Sequence, residues 1–287
     1  MNENMNEKTN YQKQIEKYYH DSQKDYEIIW GTKKHKSLHY GFWEKGIKNH
    51  HEAIENMSNK IAQFSNLKKE HLCADLGCGI GGPAFFLNKN YGCLIDGISI
   101  TKKQVLQANE TAKNLGKESE LCFYEKDFCN TGLQSSNYDV VYGIESYCHA
   151  DEKLDVLKES YRLLKNDGKL VVLDFFWNGN EKTNKDKLAM KNWASSWAIS
   201  DFAYEIDFEE KLNQVGFKNI KKHIVTKNVA PSIRRLFYIF IPSYFIDLLL
   251  RGIGKRKGKH ENMFSALYQY QCYKRRLWKY CIFTAEK

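Results

Sequence analysis

A short apolar segment that ends in a run of glycines constrains this chain more than any other feature. The segment 72–76 has the composition of a buried strand, and Gly77, Gly79 and Gly81 follow it directly. Glycine lacks a Cβ atom, so the backbone here is able to adopt positive φ and to approach a ligand closely. Pro83 suits the first turn of a helix, where its missing N–H would have no partner. Strand, glycine turn and helix together predict a corner that binds a nucleotide-type ligand.

The glycines fit two ligand-binding patterns. Gly77, Gly79 and Gly82 satisfy the dinucleotide fingerprint G-x-G-x-x-G, and Asp96 lies near the distance expected of a ribose-binding acid. Residues 75–81 equally satisfy D-x-G-x-G-x-G, a pattern of enzymes that bind S-adenosylmethionine (SAM). The glycines alone do not separate these alternatives, and they are also compatible with a tight turn that binds nothing.

Size and charge narrow the range of functions. The 287 residues are enough for one large α/β domain with an elaborated end, and 42% of them are hydrophobic. The 44 basic and 35 acidic residues leave a formal net charge of +9. This net positive charge is compatible with binding to an anionic membrane surface or to an acidic substrate. It does not argue for nucleic acid, because the basic residues are not organised as an added RNA-binding domain.

The cysteines and the first residues indicate the compartment. None of the eight cysteines forms a C-x-x-C pair, which argues against a zinc site, and we expect no metal ligands. The segment 1–10 is polar and lacks the apolar core of a secretory signal. We therefore expect a reducing compartment and a cytoplasmic protein.

Apolar strands alternate with amphipathic helices along the middle of the chain. This alternation predicts a Rossmann-like, doubly wound and mainly parallel α/β sheet of seven strands. The expected strands are 72–76, 92–100, 120–128, 138–146, 169–177, 223–229 and 279–286, the last antiparallel at the sheet edge. The expected regions are a disordered tail (1–12), an N-terminal helical lid (13–70), the ligand-binding core (71–178) and the rest of the sheet with a helical substrate cap (179–287, the cap at about 178–222 and 231–276).

In a doubly wound sheet, ligands bind outside the carboxyl ends of the strands, at the switch point beside the first strand. Side chains that end strands there are the first candidates for a site. They are residues 75–81, Ser99, Asp127 and 145–149.

Aromatic residues crowd the segment before the glycine corner. His39, Tyr40 and Trp43 surround a glycine in a predicted loop, and Tyr18 lies in a preceding segment with helical spacing. Such a cluster suits a lid over a cationic, partly apolar ligand. Simple packing of the loop explains it equally well.

The segment 231–260 has the most unusual composition. Its apolar part, 236–250, contains Pro242 and Asp247 and is too short to cross a bilayer. Basic residues follow at once. Such a segment either lies on an anionic membrane or forms a helical cap over an apolar substrate pocket, and both alternatives imply an apolar substrate.

Four stretches resemble class I SAM-dependent methyltransferases, in the usual order and spacing. They read DLGCGIGGPA, DGISITKKQVLQA, DVVYGIESYCHADEK and LLKNDGKLVVLDFF. The resemblance covers about residues 15–177 and is greatest to small-molecule enzymes: sterol C-methyltransferases, tocopherol O-methyltransferases and bacterial methyltransferases of terpenoids and other natural products. It implies SAM as cofactor and S-adenosylhomocysteine as product. It also disfavours the dinucleotide alternative, because no segment resembles the acid–base domain of a dehydrogenase.

The resemblance also implies which residues bind the cofactor. Ser99 stands where many methyltransferases carry a ribose-binding acid, so Gln104 is the expected ribose contact, with Asp127 and Phe128 at the adenine. The full expected set is His39, Tyr40, Asp75, Gly77, Cys78, Gly79, Gly81, Ser99, Gln104, Asp127 and Phe128.

Two residues at the end of the fourth strand are the candidates for catalysis. Methylation of an alkene carbon generates a carbocation, which aromatic faces and a carboxylate such as Glu145 would stabilise. An oxygen or nitrogen nucleophile would need a base, and His149 is the candidate, although a histidine that merely packs is the stronger expectation there. The expected substrate contacts are Tyr18, Trp43, Tyr147, Trp193 and Trp197.

The sequence therefore predicts a SAM-dependent methyltransferase of an apolar small molecule. An isoprenoid is preferred (a sterol, a prenyl quinol or a terpenoid, including its diphosphate), with C-methylation slightly ahead of O-methylation. A diphosphate would bring Mg²⁺. The alternatives are N-methylation of a small amine of the phosphoethanolamine or glycine type, which a pocket lined by carboxylates would favour, and a SAM-binding cyclase that methylates nothing.

Overall fold

A computed structural model describes residues 8–18, 36–178, 183–252 and 261–287. A first helix, α1, spans 10–18. The later helices are α2 (His50–Ser65), α3 (Gly82–Tyr91), α4 (Lys102–Asn114), α5 (Lys153–Leu163), α6 (Asn184–Ser196), α7 (Glu205–Val215), α8 (Thr226–Gly252) and α9 (Glu261–Lys274). The strands are β1 (Leu72–Leu76), β2 (Leu94–Ser99), β3 (Leu121–Glu125), β4 (Tyr138–Ile144), β5 (Leu164–Trp177), β6 (Lys218–Ile224) and β7 (Trp278–Glu286).

The strands form one seven-stranded sheet in the order β3-β2-β1-β4-β5-β7-β6. All neighbours are parallel except β7, which runs antiparallel to both β5 and β6. The strand order reverses beside β1, which pairs with β2 on one side and β4 on the other. The predicted doubly wound sheet is confirmed, and its switch point lies at the glycine turn.

The predicted place of the last strand is wrong. β7 lies between β5 and β6, and β6 forms the edge of the sheet. Burial explains the arrangement, because β7 is buried along most of its length whereas β6 (KNIKKHI) is largely exposed. Lysines on an edge strand also discourage pairing with another chain.

Two segment boundaries also differ from expectation. α1 begins at residue 10, inside the tail 1–12 expected to be disordered, whereas residues 1–7 and 19–35 lie outside the described residues. The strand expected at 223–229 ends at Ile224, and α8 begins at Thr226. The Val225 amide still donates to the carbonyl of Tyr280, 2.8 Å away, so the chain leaves the sheet only at the start of α8.

Aromatic side chains fill the core on one face of the sheet. The Phe175 ring of β5 contacts the rings of Tyr40, Trp193, Trp197, Phe202, Trp278 and Tyr280, with centroids 5.1–6.1 Å away. On the opposite face, Phe176 packs against Phe208 and Phe283. Much of the chain's aromatic content therefore stabilises the fold.

α8 continues away from the sheet and packs against α9. Its first part is buried at Val229 and Ile233. Farther along, the Phe237 ring stacks on Tyr270 with centroids 4.0 Å apart, and Phe240 contacts Phe264 at 5.8 Å. Within the described ranges, every helix falls short of the combined length and apolar character that a membrane crossing requires.

Candidate functional site

A cavity of about 520 Å³ lies at the carboxyl ends of β1, β2 and β4. Its position is the one that the switch-point rule predicts. Tyr11, Gln12 and Ile15 of α1 form part of its wall. The predicted site residues that line it are His39, Asp75, Gly77, Cys78, Gly79, Ser99, Gln104, Asp127, Phe128, Glu145 and His149.

The glycine turn serves two separate purposes at this cavity. Gly77 has a φ of +98°, and a Cβ atom on it would lie 2.3 Å from the Cβ of Ser146. Gly79 has a φ of +54°, and a Cβ atom there would meet nothing within 4 Å. Gly77 therefore allows the turn to pack against the chain that follows β4, whereas Gly79 leaves a backbone surface open to the cavity.

Gly81 has a structural role instead. It precedes α3 with a φ of +85°, and a Cβ atom on it would contact the rings of Phe85 and Phe123. It is not among the residues that line the cavity. Pro83 lies in the first turn of α3, as expected.

Asp75 is a buried carboxyl group beside the turn. Tyr142 on β4 donates a hydrogen bond to its Oδ2 atom at 3.1 Å. Burial raises the pKa of Asp75 to about 7. A cationic group in the cavity would favour its ionised form, because opposite charges stabilise each other strongly where water is excluded.

The end of β2 presents a neutral polar pair. The Ser99 hydroxyl donates to Oε1 of Gln104 at 2.9 Å, and both side chains border the cavity. Asp96, the acid that the dinucleotide pattern requires, accepts a hydrogen bond from the Tyr138 hydroxyl at 2.7 Å and is not among the lining residues. The geometry therefore does not support a dinucleotide site.

Helix α1 closes one side of the cavity. A helical lid was expected from residue 13 onward, but contacts from residues 11 and 12 were not, because the tail 1–12 was expected to be disordered. Gln12 Nε2 donates to Oδ2 of Asp127 at 2.7 Å. The Tyr11 hydroxyl donates to the carbonyl of Ala198 at 3.2 Å and accepts from the Ser200 amide at 3.0 Å. The only sequence signal was the i, i+4 pair of Tyr11 and Ile15, which polar neighbours obscure.

Glu145 has the most unusual environment in the cavity. It follows β4 with a φ of +51°, a left-handed conformation that strains a residue with a side chain. Its Oε1 atom accepts hydrogen bonds from the Tyr40 amide at 2.8 Å and the Tyr280 hydroxyl at 2.9 Å. Burial raises the pKa of Glu145 to about 8, with a further contribution from the charge of Asp174. At neutral pH the ligand-free protein therefore holds mainly a protonated acid here.

We expect this carboxyl group to make stability depend on pH. The pKa of Glu145 is about 8 in the folded chain against an ordinary 4.5, so between these values the folded chain holds a proton that the unfolded chain has lost. The free energy of unfolding should therefore fall as the pH rises through this window. Thermal unfolding of the ligand-free protein from pH 5 to 9 should show a weaker decline for Glu145→Gln than for the wild type. If the stability of the two proteins fell equally with pH, Glu145 would not be the cause. The raised pKa values of Asp75 and Asp174 add the same trend to both proteins.

His149 lies in the 3₁₀ turn Tyr147–His149 and lines the cavity. Burial, together with the nearby Lys153 ammonium, lowers the pKa of His149 to about 4. The imidazole is therefore neutral at physiological pH and is a weak base.

Several predicted contact residues do not line the cavity. Tyr40 and Trp193 are fully buried in the aromatic core, and Trp197 packs against the same cluster. The Trp43 indole donates to the Ser232 hydroxyl at 3.1 Å, and the Tyr147 hydroxyl is bonded to Ser160 at 2.7 Å. Tyr18 is half-buried near the end of α1. In this structure these side chains stabilise the fold around the site, and Tyr40 acts on it through its backbone amide.

Among the residues that the structure describes, no three His, Cys, Asp or Glu side chains come together as a metal site would need. Six carboxylates nevertheless border the cavity, and three of them lie between residues 151 and 155. The six are Asp75, Asp127, Glu145, Asp151, Glu152 and Asp155.

The chain is similar in sequence and in fold to known methyltransferases. Residues 74–172 match a family model described as a methyltransferase domain. The chain is 28% identical over 222 residues to a sterol 24-C-methyltransferase of Kluyveromyces lactis, a match that covers 76% of the chain and 58% of the relative. The chain thus spans little more than half of that relative's length.

Two further proteins match over nearly their whole length. An S-adenosyl-L-methionine-dependent Diels-Alderase of Talaromyces variabilis is 24% identical, and the match covers 96% of the chain and 95% of the relative. The structure of geranyl diphosphate C-methyltransferase from Streptomyces coelicolor, in complex with Mg²⁺, geranyl diphosphate and S-adenosyl-L-homocysteine, superposes with a TM-score of 0.75. It is 13% identical and covers 97% of this chain and 98% of its own, so the likeness establishes the fold alone.

Proposed function

This chain carries a class I SAM-dependent methyltransferase domain, and we propose that it transfers the methyl group of SAM to an apolar small molecule. The observation that carries the proposal is the position of Glu145. Its carboxyl group borders the same cavity as the glycine turn and is held in place by two hydrogen bonds. An ionisable carboxyl group therefore lies where a cofactor and an acceptor would meet.

The lining residues fit SAM. The open backbone at Gly79 leaves room for the methionine part of the cofactor, and Asp75 would bind its amino group. Gln104 would bind the ribose, and Asp127 with Phe128 the adenine. When bound, SAM supplies an electrophilic methyl group on a sulfonium cation. The chain's own contribution is to align the acceptor and to exclude water.

We infer that the acceptor is an isoprenoid and that carbon is methylated. Positive charge that develops on an alkene carbon would be stabilised by Glu145, because a cation in the cavity lowers the pKa of that acid and draws out its ionised form. Ile80, Ile100 and Ile144 keep part of the wall apolar. The sterol and geranyl diphosphate methyltransferases among the similar proteins act on such acceptors by name. With a diphosphate acceptor, Mg²⁺ would accompany the substrate.

The weak basicity of His149 also favours carbon over oxygen as the acceptor atom. A base with a pKa of about 4 removes a proton from a hydroxyl group poorly at neutral pH. Methylation of an alkene carbon does not require a base until after the methyl group has been transferred.

Purified protein should be incubated with labelled SAM and a panel of sterols, prenyl quinols and prenyl diphosphates, the last with and without Mg²⁺. The expected result is label on a carbon atom of one acceptor. Absence of label from every member of the panel, despite binding of SAM, would overturn the isoprenoid acceptor.

A second candidate is N-methylation of a small amine. The acidic cavity wall favours it, since Asp151, Glu152 and Asp155 add negative charge to a site that already contains Glu145. Carboxylates attract and orient a protonated amine. A parallel panel of phosphoethanolamine- and glycine-type amines separates the two functions by which acceptor is labelled. SAM binding without transfer to either panel would instead favour a SAM-binding cyclase that methylates nothing; the Talaromyces variabilis relative is named an S-adenosyl-L-methionine-dependent Diels-Alderase.

We expect α1 to contribute to cofactor binding through Gln12. Gln12→Ala removes the 2.7 Å hydrogen bond to Asp127 and should loosen the helix over the cavity. The dissociation constant for SAM should rise by about tenfold, the scale of one hydrogen bond to a charged group. Calorimetric titration measures it. The matched control is Gln14→Ala, an exposed glutamine on the same helix, and equal effects of both changes would contradict the assignment.

A further inference from the structure

The segment before α2 forms part of the wall of the cofactor cavity. The Gly82 amide, at the start of α3, donates to the carbonyl of Lys36 at 3.0 Å. Four residues farther along the segment, the Tyr40 amide donates to Oε1 of Glu145 at 2.8 Å. The segment 36–40 therefore runs from the start of α3, directly after the glycine turn, to the end of β4. Lys36 lies at its end nearest the glycine turn.

The backbone of Lys36 is held in a strained conformation. Its φ is +52°, in the left-handed region that residues with a side chain rarely adopt. A Cβ atom on Gly82 would collide with the Lys36 carbonyl and the Ser37 hydroxyl, so glycine is needed at position 82 for this close approach. Strain of this kind persists only where the surrounding contacts hold the backbone in place. The fold therefore fixes where the Lys36 side chain begins.

Lys36 also differs in charge from the rest of the cavity wall. Among the described residues that line the cavity, it is the only lysine or arginine, and six carboxyl groups line the same wall. Within the described part of the chain, no carboxylate forms an ion pair with its ammonium group. A cation in this position is suited to bind an anionic group of a ligand, because charge-assisted hydrogen bonds are the strong ones.

SAM carries one such group. Its methionine part has an ammonium group and a carboxylate group on the same carbon atom, so the residues that bind these two groups must lie close together. In the arrangement proposed above, Asp75 binds the ammonium group and Gly79 leaves room for the methionine part. Lys36 is fixed beside the same glycine turn.

We propose that Lys36 binds the carboxylate group of SAM, an assignment that rests on the proposed cofactor. Lys36 and Asp75 would together fix the orientation of the methionine part, and with it the position of the methyl group. The alternative ligand for Lys36 is an anionic acceptor such as a prenyl diphosphate. The position of Lys36 favours the cofactor, because the segment reaches Glu145, where the acceptor is expected, only at Tyr40.

The test compares ligands with and without the carboxylate group. Lys36→Met removes the ammonium group and keeps an unbranched side chain, and the dissociation constant for SAM should rise by about tenfold or more, the scale of a hydrogen bond to a charged group. S-adenosylhomocysteine keeps the carboxylate but lacks the sulfonium charge, and it should lose as much affinity as SAM. Decarboxylated SAM keeps the sulfonium and ammonium groups, and its dissociation constant should not rise. Calorimetric titration of the full-length protein measures all three.

Two further variants provide the controls. Lys36→Arg keeps the positive charge and should retain most of the affinity for SAM. Lys45→Met makes the same chemical change at an exposed lysine before α2 and should leave every dissociation constant unchanged.

Three outcomes would overturn the proposal. Equal weakening of SAM and decarboxylated SAM by Lys36→Met would show that the loss comes from the fold and not from the carboxylate contact. Unchanged affinity for SAM, with weaker binding of geranyl diphosphate, would assign Lys36 to the acceptor. If the wild type itself did not bind SAM, the proposed cofactor would be wrong and this contact with it.

Discussion

Glu145→Gln is expected to reduce the rate of methyl transfer by about 100- to 1,000-fold while SAM still binds. Glutamine keeps the size of the side chain and one oxygen that is able to accept the hydrogen bonds of Tyr40 and Tyr280. It is not able to become negative when positive charge enters the cavity. The loss should therefore appear in kcat, measured with labelled SAM and the acceptor that the panels identify. SAM affinity, measured by calorimetry, should change little.

Two comparisons distinguish chemistry at Glu145 from a general effect of charge. Glu152→Gln makes the same chemical change at an exposed position of the cavity wall and should leave kcat nearly unchanged. Tyr280→Phe removes one hydrogen bond to Glu145 but keeps the acid, so its loss should be smaller than that of Glu145→Gln. Full activity in Glu145→Gln would show that this acid has no part in the reaction.

Gly77→Ala is expected to lower the free energy of unfolding by about 3 kcal/mol or more and to abolish SAM binding. Alanine at a φ of +98° is strained, and its Cβ would lie 2.3 Å from that of Ser146, a distance that requires the backbone to move. Such a movement would separate the glycine turn from the chain after β4, where Glu145 also lies. Denaturant unfolding and calorimetric titration with SAM measure the two effects.

Gly46→Ala separates strain from collision. Gly46 has a φ of +97°, nearly the same as Gly77, but a Cβ atom on it would meet nothing within 4 Å. It should cost about 1 kcal/mol and leave SAM binding intact. Gly79→Ala, which points into open space at the cavity, should cost similarly little stability but weaken SAM binding. Equal destabilisation by Gly77→Ala and Gly46→Ala would rule out the contact with Ser146 as the cause.

The local sequence was sufficient for the parallel strands β1 to β5 and for much of the site, but not for the positions of β6 and β7 in the sheet. A short run of apolar residues is enough to predict a buried strand, and closely spaced glycines are enough to predict the turn that follows it. Parallel strands bring their carboxyl ends to one edge. That rule placed Asp75, Ser99, Asp127 and Glu145 around one cavity before any contact was known, and the structure places all four on its wall.

Only the tertiary structure decided which aromatic residues face the cavity and how far the pKa values of its buried acids are raised. Tyr40, Trp193 and Trp197 have the same local pattern whether they bind a ligand or fill a core, and only packing around Phe175 assigns them to the core. The Gln12–Asp127 hydrogen bond joins residues 115 positions apart. The pKa of Glu145 depends on burial and on Tyr280, which is 135 positions away. Contacts and burial of this kind arise only when segments distant in the sequence pack together. Local sequence patterns therefore do not predict them.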